Sequence, residues 1–422
     1  MKLNKVRISG VGCCLLDRIY DNVDSQSETF RRYLSKTPGD GGLEPGKLTF
    51  EEELERFAGQ SFVSDILPSL TDGRQADKEN IGGPCIVALI NASQVAYKES
   101  DVCFYGCRGD DEVADKIMQR LCQTKLNLSR YRIEQHSETA STSVLSDPNF
   151  DGGHGERTFV NTIGASWHYL PSEVDDQFFN SDICIFGSTA LVPRIHRGLT
   201  PLLKRAKEKG RLTVVGTVFD FISEKEHPER RWPMGDGDES YRHIDLLLVD
   251  HEEALRLSGK HDVCSALAFF REKGTGAVVI TNGARDISLW ADSPIFGRVE
   301  EQAMPVSEAV GKALRQGRKG DSTGCGDNFA GGVIGSLARQ MSLFLNPTSE
   351  KEERANDKCQ NGGWSTANGQ CLDLKEACRW GIVSGGFACF YYGGTYIEKQ
   401  VGEKFACLKE LYDLYLMQTG AC

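Results

Sequence analysis

Six short runs of almost unbroken apolar residues leave this chain few architectures: VRISGVGCC (6–14), DVCFYG (101–106), DICIFGS (182–188), RLTVVGTVF (211–219), IDLLLVD (244–250) and AVVITNG (277–283). A strand that is apolar on both sides has to be covered on both faces, the condition of a parallel sheet between two layers of helices. The stretches between them, DEVADKIMQRLCQ, GLTPLLKRAKEKG and SALAFFREKG, carry helical spacing. The alternation predicts βαβ units and a three-layer α/β/α fold around a mostly parallel sheet.

Three regions break the rhythm. Residues 21–80 are polar, with the glycine-rich PGDGGLEPG and the charged helix candidate FEEELERF. Around 138–165, alternation in TSVLS and RTFVN on either side of FDGGHGE predicts an antiparallel hairpin, unlike the parallel core. Residues 345–371 are polar and glycine-rich. The expected organisation is a single domain over 1–422, a small β-rich lid contributed by about 18–60 and 138–163, and a surface insertion at 345–371.

The net charge of −11 argues against a nucleic-acid or anionic-membrane partner, because no basic field offsets phosphate repulsion. No apolar run approaches a membrane span, and MKLNKVRISGVGCCLLD is not a signal peptide, so the expected location is the cytoplasm. There the fifteen cysteines are reduced thiols. Cys103, Cys184 and Cys389 lie in apolar runs and read as small hydrophobes. Cys359 and Cys371 bracket a loop, but a structural zinc would need a second close pair or a nearby histidine.

Two glycine-rich stretches compete for a phosphate. GGLEPGKL matches G-x-x-x-x-G-K from Gly41 to Lys47. Leu48 then stands where a hydroxyl should meet magnesium, no strand precedes the loop, and Pro45 removes an amide, so it reads as a surface or lid loop. In GDSTGCGDNFAGG (320–332), Phe329, Val333, Leu337 and Met341 recur at four-residue spacing, so Gly324, Cys325 and Gly326 sit just before a helix. Backbone amides at a helix N-terminus attract an anion and suit the charge of a phosphoryl group in transfer. Asp327 beside them fits either a general base for an attacking hydroxyl or a helix N-cap. Asp321 is open among the phosphates, a metal shell and the turn itself.

DSTGCGDNFAGG resembles the C-terminal signature of the ribokinase-like (PfkB-type) carbohydrate kinases, with Cys325 in place of alanine and Ser322 in place of threonine. Other segments resemble that family in the same order. GVGCCLLDRI is similar to the first strand that ends in an aspartate, here Asp17, IGGPCIVALI carries the Gly82–Gly83 pair, and DVCFYGCRGDDEVADKI and the hairpin follow. DLLLVDHEEALRLSG resembles the N-x-x-E segment, with Asp250 for asparagine, and AVVITNGARDISLW the nucleotide-side turn. ACRWGIVSGGFACFYYGG is similar to the helix flanking the adenine. Val87 departs from the family's asparagine. The likeness runs from about residue 6 to 400, with 21–80 and 345–371 largely outside it.

The resemblance implies an ATP-dependent kinase for a hydroxyl on a sugar or sugar-like molecule. It makes Asp327 the base and Gly324, Cys325 and Gly326 the anion hole. Asp17, Gly82 and Gly83 fall to the substrate, and Asp250, Glu253, Thr281, Gly283 and Thr323 to the nucleotide. Glu253 would organise Mg2+ through water, and a monovalent cation near the anion hole and a homodimer through the lid are further implications. Two alternatives stay open: a nucleoside kinase, since GVGCCLLD is also like the opening of adenosine kinases, and a non-catalytic sugar or nucleotide sensor.

Overall fold

The structure is a computed structural model that describes residues 4–37, 39–153, 155–318, 320–346 and 371–421. All six apolar runs are strands of one nine-stranded sheet. From edge to edge it runs Gly297–Met304, Arg285–Ser293, Ala277–Asn282, Leu246–Asp250, Leu212–Gly216, Ile183–Gly187, Val6–Val11, Ser100–Arg108 and Asn127–Ile133. The sheet is parallel except at one edge, where Ala277–Asn282, Arg285–Ser293 and Gly297–Met304 pair antiparallel.

Strand Leu246–Asp250 shows why its sequence had to be apolar throughout. Leu246 and Leu248 enter the core beneath one helical layer, and Leu247 and Val249 the core beneath the other. The first layer holds helices Pro84–Val95, Cys325–Leu345, Leu374–Ala388 and Glu403–Thr419; the second includes Leu199–Glu208, His251–Ser258 and Val263–Glu272. Among the described residues no helix is long and apolar enough to cross a membrane.

A second, five-stranded sheet runs Leu48–Phe50, Glu156–Thr162, Ser141–Asp147, Leu15–Tyr20 and Lys78–Gly82. The hairpin expected around FDGGHGE is antiparallel, with Thr142 opposite Asn161. The polar stretch 21–80 supplies helices Glu28–Tyr33, Glu51–Phe57 and Val63–Leu70, which bury Phe30, Leu54 and Ile66 against Leu145 and Val160 on the outer face of this sheet. Its edge meets the body where Phe50 packs edge-on against Phe221 at 5.9 Å and Lys225 pairs with Glu53. Most of the expected insertion at 345–371, Cys359 included, lies outside the described residues.

Candidate active site

The parallel strands end in a cavity of about 170 Å3 whose lining includes Thr217, Asp250, Glu253, Thr281, Gly326 and Asp327. The crevice beyond the carboxyl ends of parallel strands is where open α/β sheets bind their ligands. Five positions that the sequence assigns, Asp250, Glu253, Thr281, Gly326 and Asp327, therefore share one wall although they come from three distant segments.

Helix Cys325–Leu345 begins at this wall. Its N-cap is Gly324, at φ 73°, and Asp327 is the third helical residue, so the N-cap alternative for Asp327 does not hold. The amides of Gly324 and Gly326 have no hydrogen-bond partner among the described residues, whereas the Cys325 amide reaches the Ser322 carbonyl at 3.3 Å. Unpaired amides of a first helical turn carry partial positive charge.

Small residues hold this turn in place. A Cβ on Gly331 would lie 2.4 Å from the Ala88 carbonyl, and one on Gly332 would lie 2.5 Å from the Trp380 carbonyl, so the two neighbouring helices press directly on the backbone. The Asn328 amide donates to the Gly324 and Gly394 carbonyls at 2.8 Å each, and its oxygen accepts from the buried Lys404 ammonium at 2.8 Å. Burial pulls the Lys404 amine down to about 7. The Asp327 carboxylate makes no hydrogen bond among the described residues, and desolvation pushes its pKa up to about 7.

Asp17 stands on the small sheet. Burial first, then the charges of Asp327 and Asp321, raise it to about 7, while Arg157 acts in the opposite sense. A Cβ on Gly82 would lie 2.2 Å from the Asp17 carboxylate, so only glycine fits beside it. Gly83, at φ 99°, caps helix Pro84–Val95. Register puts Asp17 opposite Thr142, and Thr142 opposite Asn161, so the three side chains share a face. Asn161 donates to the Thr142 hydroxyl at 2.8 Å, and all three residues are buried. Sequence reasoning assigned Asp17 to the substrate but missed Thr142 and Asn161, though alternation in TSVLS and RTFVN carried the signal.

It also missed Arg157, on the same hairpin, which donates to the Thr323 hydroxyl and, at 3.2 Å, to that of Ser322. Thr323 thus meets the small sheet. Asp321, left open by the sequence, accepts from the Thr323 amide at 2.8 Å and from the Gly393 amide at 3.3 Å, so it holds the turn to the 391–394 segment. Val87 is buried and packs 3.1 Å from where a Gly394 Cβ would stand.

Asp250 and Glu253 form a capping box: Asp250 accepts from the Glu253 amide at 2.8 Å, and Glu253 accepts from the Asp250 amide at 3.3 Å and from Thr217. Each keeps a carboxylate oxygen unbonded among the described residues. Burial and the Asp250 charge push Glu253 up to about 8, and burial raises Asp250. Two such carboxylates in one cavity fit a divalent cation that would also be held by substrate phosphates, the usual arrangement for magnesium. Among the described residues no three ligating side chains cluster to hold a metal by themselves. Thr281 stands opposite Asp250, and Gly283, at φ 55°, makes the turn that follows.

The rival loop at 41–48 has no phosphate geometry. Lys47 is paired with Glu44 at 2.6 Å, the Gly46 amide donates to the Arg157 carbonyl, and a strand, Leu48–Phe50, follows in place of a helix. Lys47→Ala is expected to leave ATP affinity unchanged in a binding titration; a large loss would revive this loop as the nucleotide site.

Residues 65–344 match the family described as pfkB family carbohydrate kinase. Among curated proteins, an adenosine kinase of Schizosaccharomyces pombe is 22% identical over 269 residues, 60% of this chain and 72% of that enzyme. Among solved structures, an adenosine kinase from Schistosoma mansoni in complex with 2-fluoroadenosine is 16% identical with a TM-score of 0.65, covering 93% of this chain and 98% of that one. A ribokinase from Thermotoga maritima is 15% identical with a TM-score of 0.58, covering 96% and 99%. These neighbours share the fold, and the family match spans most of the chain. The protein belongs to the pfkB family of carbohydrate kinases, ATP-dependent phosphotransferases.

Proposed function

We propose that this chain transfers the γ-phosphoryl group of ATP to a hydroxyl of a sugar or sugar-like molecule, with Asp327 as the base. One observation carries the reading: a carboxylate with its pKa near 7 and no hydrogen bond among the described residues stands in the first turn of a helix beside the unbonded amides of Gly324 and Gly326, on the wall of the strand-end cavity. Asp327 would take the hydroxyl proton, and the amides of Gly324 and Gly326, with that of Cys325 once it leaves Ser322, would stabilise the charge on the transferring group. Asp250 and Glu253 would hold Mg2+, which when bound neutralises phosphate charge. Thr281, on the cavity wall, and the turn at Gly283 after it would flank the nucleotide, and Thr323 with Arg157 would close the small sheet over the loop.

Asp17, Thr142 and Asn161 support a polyhydroxylated acceptor, since a buried row of donors and acceptors strongly rejects ligands that leave it unpaired. A nucleoside is the second reading, favoured by the next row on the same face, where Ile19, Val144 and Phe159 are in register. An ATP-consumption screen against sugars, sugar phosphates and nucleosides separates the two, and turnover with none of them would favour a sensor. The monovalent cation implied by the resemblance is tested by exchanging potassium for tetramethylammonium in that assay, and association through the small sheet by sedimentation.

The pH dependence follows from Asp327. Only its ionised form accepts a proton, so kcat/KM is expected to rise about tenfold per pH unit below about 7 and to level off above it. A profile flat from pH 5 to pH 8, under conditions where chemistry limits, would contradict the assignment. Stability runs the other way. The folded pKa values of Asp17 and Asp327 lie above the unfolded ones, so their contribution is lost as pH rises from about 4 through about 7.

A further inference from the structure

The sequence reading takes Cys389 for a buried hydrophobe, but the fold places it at the half-exposed C-cap of helix Leu374–Ala388. Its sulfur lies 3.4 Å from that of Cys325, the first residue of the helix that carries Asp327. Cys325 is also only half-buried. The two segments are gripped together independently of the sulfurs: the Asp321 amide donates to the Tyr391 carbonyl at 3.1 Å, and a Cβ on Gly320 would fall 2.3 Å from the Cys389 carbonyl.

We propose that Cys325 and Cys389 are a reversible dithiol modification site, oxidised to a disulfide by a hydroperoxide and restored by a thiol reductant, and that the disulfide switches the kinase off. One thiolate attacks the peroxide, taking one oxygen to become a sulfenic acid while the other oxygen leaves as water or alcohol. The second thiol then attacks that sulfur and expels the hydroxyl as water, so two thiols lose two electrons and two protons and the peroxide is reduced.

The two sulfurs share one hydrogen bond in which either can be the donor; the thiol that holds the proton favours the thiolate on the other, and that thiolate is the first nucleophile. Burial keeps Cys13, Cys14 and Cys85 from the oxidant.

Closing the pair from 3.4 Å to a bond of about 2.05 Å draws the first helical residue toward the 389–393 segment. The turn is already packed closely on that side, because a Cβ on Gly385 would stand 2.9 Å from the Cys325 carbonyl and one on Gly324 2.5 Å from the Gly394 Cα. The amides of the first turn must therefore re-aim. This effect on turnover rests on the proposed role of residues 324–326; formation of the bond does not.

The test uses the full-length protein, treated with hydrogen peroxide and then with dithiothreitol. Expected are a peptide linking Cys325 to Cys389 in a non-reducing digest, a loss of kcat of at least about tenfold, and recovery on reduction. Cys389→Ser should keep the basal rate and resist the same treatment. Absence of the linked peptide overturns the inference and leaves the kinase reading standing, as does equal peroxide sensitivity in Cys389→Ser. A linked peptide with unimpaired turnover overturns the switch and removes the 324–326 amides from the reaction. If Cys389→Ser does not fold, the linked peptide and its reversal in the native protein decide.

Discussion

Asp327→Asn is expected to lower kcat by about 10²–10⁴-fold, the range that a positioned general base contributes, while the affinity for ATP stays within a few-fold. The amide keeps the shape of the side chain and cannot take the proton. The thermal midpoint should hold or rise, because the substitution removes a carboxylate that its surroundings already hold toward the neutral form. A burst-free single-turnover assay with a nucleotide titration and a melting curve covers all three readouts. Near-normal turnover would return Asp327 to a residue that merely favours the start of a helix.

Gly324→Ala is expected to fail differently. At φ 73° an L-residue costs roughly 1–2 kcal/mol, and the new Cβ would stand 2.5 Å from backbone at Gly394, which no rotamer relieves. Both the N-cap and the 393–394 segment must shift, so the variant should melt several degrees lower and lose about 10²-fold or more in kcat, as when one donor of such a hole is displaced. Gly326→Ala is the control, since an added Cβ there meets nothing within 4 Å. It should fold normally and lose activity only by obstructing the cleft. Equal melting temperatures for wild type and Gly324→Ala would mean the turn absorbs the strain, and the argument from close packing would fall.

The strands of the body were legible because burial on both faces leaves a continuous apolar run, and the glycine loop because helical spacing begins right after Asp327. Lys78–Gly82, sequence KENIG, and Asn127–Ile133, sequence NLSRYRI, were not legible, because both are edge strands with little apolar signal. Of the helices of 21–80, Glu51–Phe57 was legible in FEEELERF, whereas Glu28–Tyr33 and Val63–Leu70 bury few residues each, so their composition reads as loop. Pairings across the fold leave no local trace: Arg157 and Thr323 are 166 residues apart, and Cys325 and Cys389 are 64 apart. Asp250 and Glu253 illustrate a different difficulty, since the capping box and the proposed cation site call for the same two acids.

The chain passes between the two sheets at four places among the described residues: 12–14, 82–84, 134–140 and 163–164. Beyond these crossings the small sheet is held to the rest of the chain by Arg157 on Thr323, Lys225 on Glu53, Phe50 against Phe221, and Glu79 with Lys116 and Arg120. A swing of the small sheet about these crossings would move it as one leaf, carrying Asp17, Thr142 and Asn161 together relative to Asp327. On the proposed reading, acceptor recognition and phosphoryl chemistry thus stand on separate pieces of the molecule, the row of Asp17, Thr142 and Asn161 on the small sheet and Asp327 on a helix of the body.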